Sequence, residues 1–294
     1  TFPLVYGNAI TNGATNSSSY NGYSGSYTQS LKTTDYVGNV DGGSITVPCQ
    51  GLGTFLDHND TGITGPWIVN TNSRGGKYAP ATAEIVWQDE PYLVTEVKLN
   101  DNKDYIQFRV HEETVCDGNA VIAVKDSNGT IMWSWHIWLW ADDLSPVEIT
   151  NNTGVKYKIL PVNLASKWDD TAKTKIKNWF YQFGRPNPIL CPSAYDSRSS
   201  HASYGALSLA AASTALNIQT GIQNPATFYV FEGYYGTQNW FQTNSNNTCN
   251  LWDAACTSFG NSDNNVVKTI YDPCPIGFKM PNGNTFTGFS LLEI

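Results

Sequence analysis

Apolar and polar residues alternate most clearly between positions 83 and 140. Turn residues divide this region into short segments of period-two pattern, with no helical pattern between them. Closely spaced strands without intervening helices predict an antiparallel sandwich or meander. The Gly-, Asn-, Ser- and Tyr-rich sequence before position 80 predicts short strands and long loops. The predicted strands span residues 44–47, 84–87, 94–99, 105–110, 120–124 and 130–140.

Residues 126–129, with the sequence Asp-Ser-Asn-Gly, join the last two of these strands. Asn-Gly supplies the positive backbone φ that a tight hairpin turn requires. The same residues partly match a calcium-binding loop, but the other ligands and the closing Glu of such a loop are missing. The sequence therefore predicts a turn here rather than a metal site.

The strand at 130–140 carries bulky residues on both faces. Alternation puts Trp133 and Trp135 on one face and His136, Trp138 and Trp140 on the other. A strand of this kind is expected to be covered on both sides. The alternative is that its tryptophans form a platform for sugar rings.

A polar, turn-rich stretch at 148–154 is expected to divide the chain into two domains, residues 1–150 and 151–294. In the second domain, Asp169 or Asp170 can cap a helix that ends at Gly184. A weaker helix is expected between 207 and 222, and a strand at 227–231, so this domain is predicted to be α+β. The apolar residues of the first helix fall at helical spacing: Ala172, Ile176, Trp179, Phe180 and Phe183.

The composition is typical of β-rich extracellular proteins. Of the 294 residues, 13% are aromatic and only 14% are charged, so Asn, Ser, Thr and Gly meet the solvent. The net charge of -8 argues against a nucleic-acid partner. The longest apolar stretch, 131–141, is far shorter than the ~20 residues of a membrane-spanning helix, so no transmembrane segment is predicted. The chain opens on strand-like sequence without a signal peptide, as expected of a processed or excised piece.

The six cysteines lack the C-x-x-C spacing of zinc or redox centres, and their even number favours disulfides in an oxidising compartment. Cys249 and Cys256 are expected to pair, because the short loop between them can turn back on itself in polar surroundings. Cys49 and Cys116 form a second candidate pair, since both fall in the first domain.

Known catalytic and metal-binding patterns are missing from the sequence. The four histidines lie in separate segments, and no nucleophile elbow, phosphate loop or dinucleotide fingerprint is present. His201 lies near several serines, but a triad also needs a positioned acid and an oxyanion hole. No catalytic residue, metal or cofactor is therefore predicted, and the chain is expected to be non-enzymatic.

Several large aromatic residues follow the strand at 227–231 in a Gly- and Asn-rich stretch that is predicted to be a loop. Exposed Tyr and Trp rings can stack on a sugar while nearby amides bind its hydroxyl groups. The alternative is that these rings fill the core of the second domain. The candidate ligand-binding residues are Tyr234, Tyr235, Trp240 and Phe241.

Blocks of sequence along nearly the whole chain resemble a known family. In the first half, residues 2–8 (FPLVYGN), 67–70 (WIVN), 118–124 (GNAVIAV) and 133–138 (WSWHIW) resemble the C-terminal half of fimbrillin-family (Mfa-like) surface and pilus proteins of gut Bacteroidetes. In the second half, residues 179–185 (WFYQFGR), 224–228 (NPATF), 250–252 (NLW) and 268–278 (KTIYDPCPIGF) resemble the Fibrobacter succinogenes major paralogous domain often attached to them.

The resemblance implies an extracellular protein at the cell surface, outer membrane-associated or fimbrial. It also implies an N-terminal β-sandwich followed by a C-type-lectin-like domain. That domain normally continues beyond the point where this chain stops, so it is expected to be partial. The shared blocks are turn and core residues, so they carry over no functional residue.

The expected function is that of an adhesin or pilus component. Its expected partners are other pilus or surface subunits and a host or dietary glycan or glycoprotein. One alternative is a relative of formylglycine-generating enzymes, which needs a reactive or metal-binding cysteine pair in its C-terminal part, where Cys249, Cys256 and Cys274 lack helpful neighbours. The other is a purely structural subunit that binds its neighbours by adding strands at sheet edges.

Overall fold

The structure of the chain is a computed structural model. It describes residues 1–7, 10–11, 14–15, 25–30, 44–49, 55–63, 67–68, 79–113, 115–168, 171–190, 208–211, 216–230, 240, 250–256 and 262–289. These residues are mainly β, as predicted, and form several small sheets that are almost all antiparallel. No helix among them is long and apolar enough to cross a membrane.

The element bounds are as follows. The strands are β1 (Phe2–Pro3), β2 (Ile10–Thr11), β3 (Ala14–Thr15), β4 (Gly25–Ser30), β5 (Ser44–Cys49), β6 (Thr82–Gln88), β7 (Thr95–Leu99), β8 (Tyr105–Arg109), β9 (Gly118–Lys125), β10 (Ile131–Leu139), β11 (Val147–Thr150), β12 (Lys156–Ile159), β13 (Lys167–Trp168), β14 (Ile176–Lys177), β15 (Ser208–Ala211) and β16 (Thr227–Val230). The helix is α1 (Ile218–Gln223).

Strand β9 forms the centre of an antiparallel sheet in the order β10-β9-β6. All its residues before Lys125 are buried, because both faces of the strand are covered. A second sheet has the order β1-β8-β7, so the first strand of the chain pairs with a strand about a hundred residues later. Each strand predicted between 84 and 140 is present with bounds shifted by at most two residues at either end.

Strand β10 is covered on both faces, as its sequence predicts. Trp133 and Trp135 are buried in the core, and the indole N–H of Trp135 donates to the carbonyl oxygen of Val5 at 3.2 Å. On the other face, the indole of Trp138 donates to the carbonyl oxygen of Ser166 at 2.8 Å. The tryptophans of β10 therefore pack the protein together, and the buried Trp133 and Trp135 cannot serve as a sugar platform.

Three tight turns share one geometry. At the turn predicted for 126–129, Asp126 Oδ1 accepts the backbone N–H groups of Asn128 and Thr130, both at 2.9 Å. Gly129 has a φ of +83° and donates its N–H to the carbonyl oxygen of Asp126 at 3.1 Å. This confirms the predicted turn. The same contacts recur in the turns that begin at Asp57 and Asn151.

The helix predicted to run from Asp169 or Asp170 to Gly184 is wrong. Within 171–190 the chain forms β14, which pairs with β13, and an isolated bridge between Phe180 and Ile189. Lys173 has a φ of +53°, which no right-handed helix accommodates.

The apolar residues that match helical spacing pack against different and distant partners. Trp179 lies 6.2 Å from the ring of Trp87, whereas Phe183 meets Trp252 edge-on at 5.1 Å. These tertiary contacts override the local period. Gly184 does adopt a positive φ of +81°, but it packs against the side chain of Leu251 instead of capping a helix.

The weaker helix predicted between 207 and 222 is confirmed only in its last part, as α1. Asn217 caps α1 by accepting the N–H of Thr220 at 2.9 Å. The residues at 208–211 form β15 instead. This strand pairs in parallel with β16, and α1 lies between the two strands in the sequence. The strand predicted at 227–231 corresponds to β16.

One cluster of buried apolar residues contains members from both sides of position 150, including Ile122 and Ile222. It joins the first residues of the chain to residues near 270. A Cβ on Gly7, whose φ is +66°, would lie 2.6 Å from the Cα of Ile270. The division into 1–150 and 151–294 stays a prediction, as do the sandwich and lectin-like assignments.

Candidate ligand-binding groove

A groove of about 970 Å³ lies between the β11–β12 hairpin and residues 262–289. One wall consists of residues 157–164, and the other consists of residues 263, 265–266, 273–274, 278–282 and 285–286. The turn at Asn151 sets the register of the hairpin, with Thr150 opposite Lys156. Tyr157 and Lys158, which are neighbours in β12, both line the groove.

Asp263 joins the two walls by hydrogen bonds from four side chains. Its Oδ1 accepts from the hydroxyl of Tyr157 and from Nδ2 of Asn151, the latter at 2.8 Å. Its Oδ2 accepts from Thr153 at 3.1 Å and from Asn284 at 2.8 Å. These bonds, with that of Tyr157 first, lower the pKa of Asp263, so the carboxylate is ionised at neutral pH.

The tip of the hairpin is tied down a second time. The backbone N–H of Asn152 donates to the carbonyl oxygen of Thr287 at 3.0 Å, and Thr287 Oγ1 donates to Asn152 Oδ1 at 2.6 Å. Nearby, Asn282 Nδ2 donates to the hydroxyl of Tyr157 at 3.1 Å. The walls are therefore held by side-chain and backbone bonds, as in a largely pre-formed binding site.

The lining of the groove is mainly apolar, with polar groups around it. Ile176 and Phe286 line it and are 40% and 55% exposed. Flat or branched apolar surfaces beside amides can take the apolar face of a sugar ring while the amides bind its hydroxyl groups. The amide side chains that line the groove are those of Asn163, Asn178, Asn265 and Asn282.

Two lysines also line the groove. Lys158 is exposed, and Lys279 Nζ donates to Asn265 Oδ1 at 2.5 Å and to the carbonyl oxygen of Val266 at 2.8 Å. Neither lysine forms an ion pair within the described part of the chain. The groove thus presents positive charge next to its apolar lining.

Comparison of this chain with protein-family models, curated proteins and solved structures finds no match. The resemblance to fimbrillin-family proteins and to the major paralogous domain stays an expectation.

Trp240, one of the predicted ligand-binding residues, belongs to the core. It is 4% exposed and stacks on Tyr229 with ring centroids 5.4 Å apart. Its indole N–H donates to the carbonyl oxygen of Phe183 at 2.8 Å. The prediction that Trp240 binds a ligand is therefore wrong, because its ring packs in the core and is not exposed to solvent. Tyr234, Tyr235 and Phe241 lie outside the described residues.

The guanidinium of Arg185 packs against the ring of Trp240. This group lies 5.5 Å from the ring of Trp240 and donates to the carbonyl oxygens of Asn224 at 2.7 Å and Thr227. These carbonyls follow the C-terminus of α1, where a positive charge is favourable. Burial lowers the pKa of Arg185 to about 10, so it stays charged at neutral pH.

The predicted disulfides are not settled by the described residues. Cys249 and the side chain of Cys49 lie outside them, so pairing of Cys249 with Cys256 and of Cys49 with Cys116 stays a prediction. Burial together with the charge of Asp272 raises the pKa of the Cys274 thiol. This thiol is therefore a weak nucleophile at neutral pH.

A second polar cluster lies at the start of β9, around Asn119. Asp89 Oδ1 accepts the backbone N–H of Asn119 at 2.7 Å, and Asp89 Oδ2 accepts Asn119 Nδ2 at 3.0 Å. His136 Nε2 lies 2.8 Å from Asn119 Oδ1. Lys167 is buried beside Asp89, at 3.7 Å, and donates to Glu90.

This cluster contains acid, base and amide groups, but it is built as a structural network. Burial raises the pKa of Asp89 and lowers that of His136 to about 3. Asn119 Nδ2 also donates to the carbonyl oxygen of Ala165 at 3.0 Å, which fixes the segment before β13 against the sheet. The cluster therefore holds the fold together instead of presenting an acid–base pair to solvent. Among the described residues, no group of three or more His, Cys, Asp or Glu side chains is placed to hold a metal ion.

Sequence reasoning missed the groove. Its main bonds join Asn151 and Tyr157 to Asp263, residues that are 112 and 106 positions apart. The only local signal is the polar sequence Asn-Ser-Asp-Asn-Asn around Asp263, which reads as an ordinary loop.

Proposed function

We propose that this chain is a non-enzymatic cell-surface adhesin or pilus component that binds a glycan or glycoprotein in the groove beside β12. The observation that carries the proposal is the groove itself, with its braced walls, apolar surfaces and surrounding amides. Its volume of about 970 Å³ lies at the upper end of the range of small-molecule sites, which is about 300–1,000 Å³. A short oligosaccharide fits this range.

The sequence supports the same proposal. The low content of charged residues and the Asn-, Ser-, Thr- and Gly-rich composition are typical of extracellular β proteins. The resemblance to fimbrillin-family proteins favours display at the outer membrane or in a fimbria, with other surface subunits as neighbours. It also favours a lectin-like domain from 151 to 294, the region that contains the whole groove.

The alternative of a formylglycine-generating-type enzyme has less support. That chemistry needs reactive or metal-binding cysteines, and a thiolate is the reactive form. Of the C-terminal cysteines, Cys274 is buried and its pKa is raised, which disfavours its thiolate.

The proposal is tested by measuring binding of the intact protein to a glycan array and to immobilised mucin. The double variant Ile176→Ala/Phe286→Ala removes two exposed apolar side chains of the groove. The matched control, Ile276→Ala/Phe289→Ala, removes exposed side chains of the same types that do not line it. We expect the first variant to lose binding and the control to bind as the unmodified protein does.

Equal binding by both double variants would exclude the groove as the site. Complete lack of binding to glycans and mucin by the unmodified protein would contradict the adhesin proposal and favour a purely structural subunit. The two-stranded β11–β12 sheet is the observation behind that second candidate, because each of its strands pairs with no further strand among the described residues. A structural subunit is expected to assemble normally with the groove variant.

A further inference from the structure

We infer that the ligand of the groove is an acidic glycan, whose carboxylate or sulfate group binds between Lys158 and Lys279. This inference rests on the proposed function and specifies its ligand. Among the described residues, two lysines and one carboxylate, that of Asp263, line the groove.

The carboxylate of Asp263 is already engaged. Its two oxygens accept hydrogen bonds from Tyr157, Asn151, Thr153 and Asn284. Its acceptor sites are therefore occupied by bonds that hold the walls together. Neither lysine of the groove forms an ion pair with this carboxylate.

The lysines, in contrast, retain donors for a ligand. The side chain of Lys158 is exposed, and Glu148, which lies opposite it in the hairpin, is paired with Lys156 at 2.7 Å. An ammonium group has three N–H donors, and Lys279 uses two of them on Asn265 and Val266. Asn265 and Val266 supply neutral oxygens, so they leave the positive charge of Lys279 unneutralised.

The position of these charges gives them specificity. The chain has a net charge of -8, so most of its surface repels an anionic polymer. At the groove, an anionic group can accept charge-assisted hydrogen bonds from the lysines while the sugar ring lies on Ile176 and Phe286. A neutral glycan gains only the second of these contacts. The groove therefore discriminates between acidic and neutral glycans that share the same core.

The test compares three soluble probes that share a lactose core: 3′-sialyllactose, 3′-sulfolactose and lactose. Dissociation constants are measured by isothermal titration calorimetry at low and at physiological salt. We expect both acidic probes, or one of them, to bind at least about 10-fold more tightly than lactose, the effect of one charge-assisted hydrogen bond. Because the lysines are near the surface, salt should weaken this preference.

The variants Lys158→Gln and Lys279→Gln should each remove most of the preference, measured within each variant as the ratio of the dissociation constants of lactose and of the acidic probe. Lys279→Arg keeps the charge and should retain it, which separates a charge effect from the loss of the bonds to Asn265 and Val266. The control Lys175→Gln alters an exposed lysine next to Ile176 that does not line the groove, and it should behave as the unmodified protein.

Preference for 3′-sialyllactose alone identifies a carboxylate, preference for 3′-sulfolactose alone identifies a sulfate, and either supports the inference. Equal affinity for all three probes, with binding abolished by Ile176→Ala/Phe286→Ala, overturns the acidic-ligand inference and leaves the proposed function in place. Failure of every probe and of mucin to bind overturns both. A preference that survives in both Lys→Gln variants shows that other residues recognise the charge and also overturns the inference.

Discussion

The hydroxyl group of Tyr271 bonds to both backbone polar groups of Leu56. It accepts the N–H of Leu56 at 2.9 Å and donates to the carbonyl oxygen of Leu56 at 2.7 Å, although the two residues are 215 positions apart in the chain. Burial raises the pKa of Tyr271 well above its ordinary value, so the hydroxyl group keeps its proton and can donate. One side chain thus satisfies two backbone groups in place of a neighbouring strand.

Replacement of Tyr271 by Phe should lower the free energy of unfolding by about 1–3 kcal/mol, because both groups of Leu56 lose their partner. Urea unfolding followed by tryptophan fluorescence measures this change. Tyr181→Phe is the matched control. The hydroxyl group of Tyr181 is buried and has no hydrogen-bond partner among the residues that the structure describes, so its removal should be neutral or stabilising. Equal destabilisation by both variants would contradict the role assigned to Tyr271.

Replacement of Trp135 by Ala should cost about 3–5 kcal/mol, as for other buried aromatic side chains. Trp135 is only 5% exposed, and its indole also bonds to Val5. Trp135→Phe should cost less, since it keeps most of the ring and loses only the hydrogen bond and part of the packing. Thermal unfolding checks both, and an unchanged melting temperature of Trp135→Ala would contradict the burial of this strand.

His136 should make the protein less stable as the pH falls. Burial lowers its pKa in the folded state to about 3, whereas the unfolded state has a value near 6.5. Below pH 6.5 the unfolded chain therefore binds a proton that the folded chain does not, and stability is lost as the pH falls toward 3. Between pH 7 and 4 the loss from this residue should be about 2–3 kcal/mol.

Asp89 has the opposite effect on the free energy of unfolding. Its pKa is raised in the folded state, so the folded chain binds a proton at a pH where the unfolded chain does not, and acidification stabilises the fold through this residue. His136→Gln isolates the share of the histidine, because glutamine keeps a donor for Asn119 and does not titrate. Denaturant midpoints of both proteins are measured from pH 7 to pH 4. The variant should show a flatter decline, and parallel curves would contradict the assignment.

The turns at Asp126 and Asn151 provide a comparison within one chain. Asp126 Oδ1 accepts two backbone N–H groups, and Asn151 Oδ1 accepts the equivalent two. Asp126→Ala should therefore cost about 1–2 kcal/mol, by analogy with the loss of a helix cap that makes similar bonds. Asp126→Asn should change stability by less than about 0.5 kcal/mol, because Asn already fills this role at 151. Urea midpoints distinguish the two, and a large effect of Asn would show that the charge of Asp126 matters.

The sequence predicts this fold best where structure is decided locally. The strands between 84 and 140 and the turn at Asp126 follow from alternation and from turn residues. The helix predicted to end at Gly184 fails because Trp179 and Phe183 find partners at Trp87 and Trp252, which no local pattern shows. The groove is invisible for the same reason, since its walls meet only through contacts between distant segments.

The close approach of Gly7 to Ile270 has a consequence for how the chain matures. During synthesis Gly7 emerges before the backbone of Ile270, against which it packs and which lies more than 260 residues later in the chain. At about 5–20 residues per second, this interval is at least ~13 seconds, during which β1 and its neighbours lack part of their core. A chain with such a late closing contact remains incompletely folded until the segment around Ile270 has been synthesised. Pulse-labelled nascent chains stalled before position 270 should therefore be digested by protease at sites that the finished protein protects.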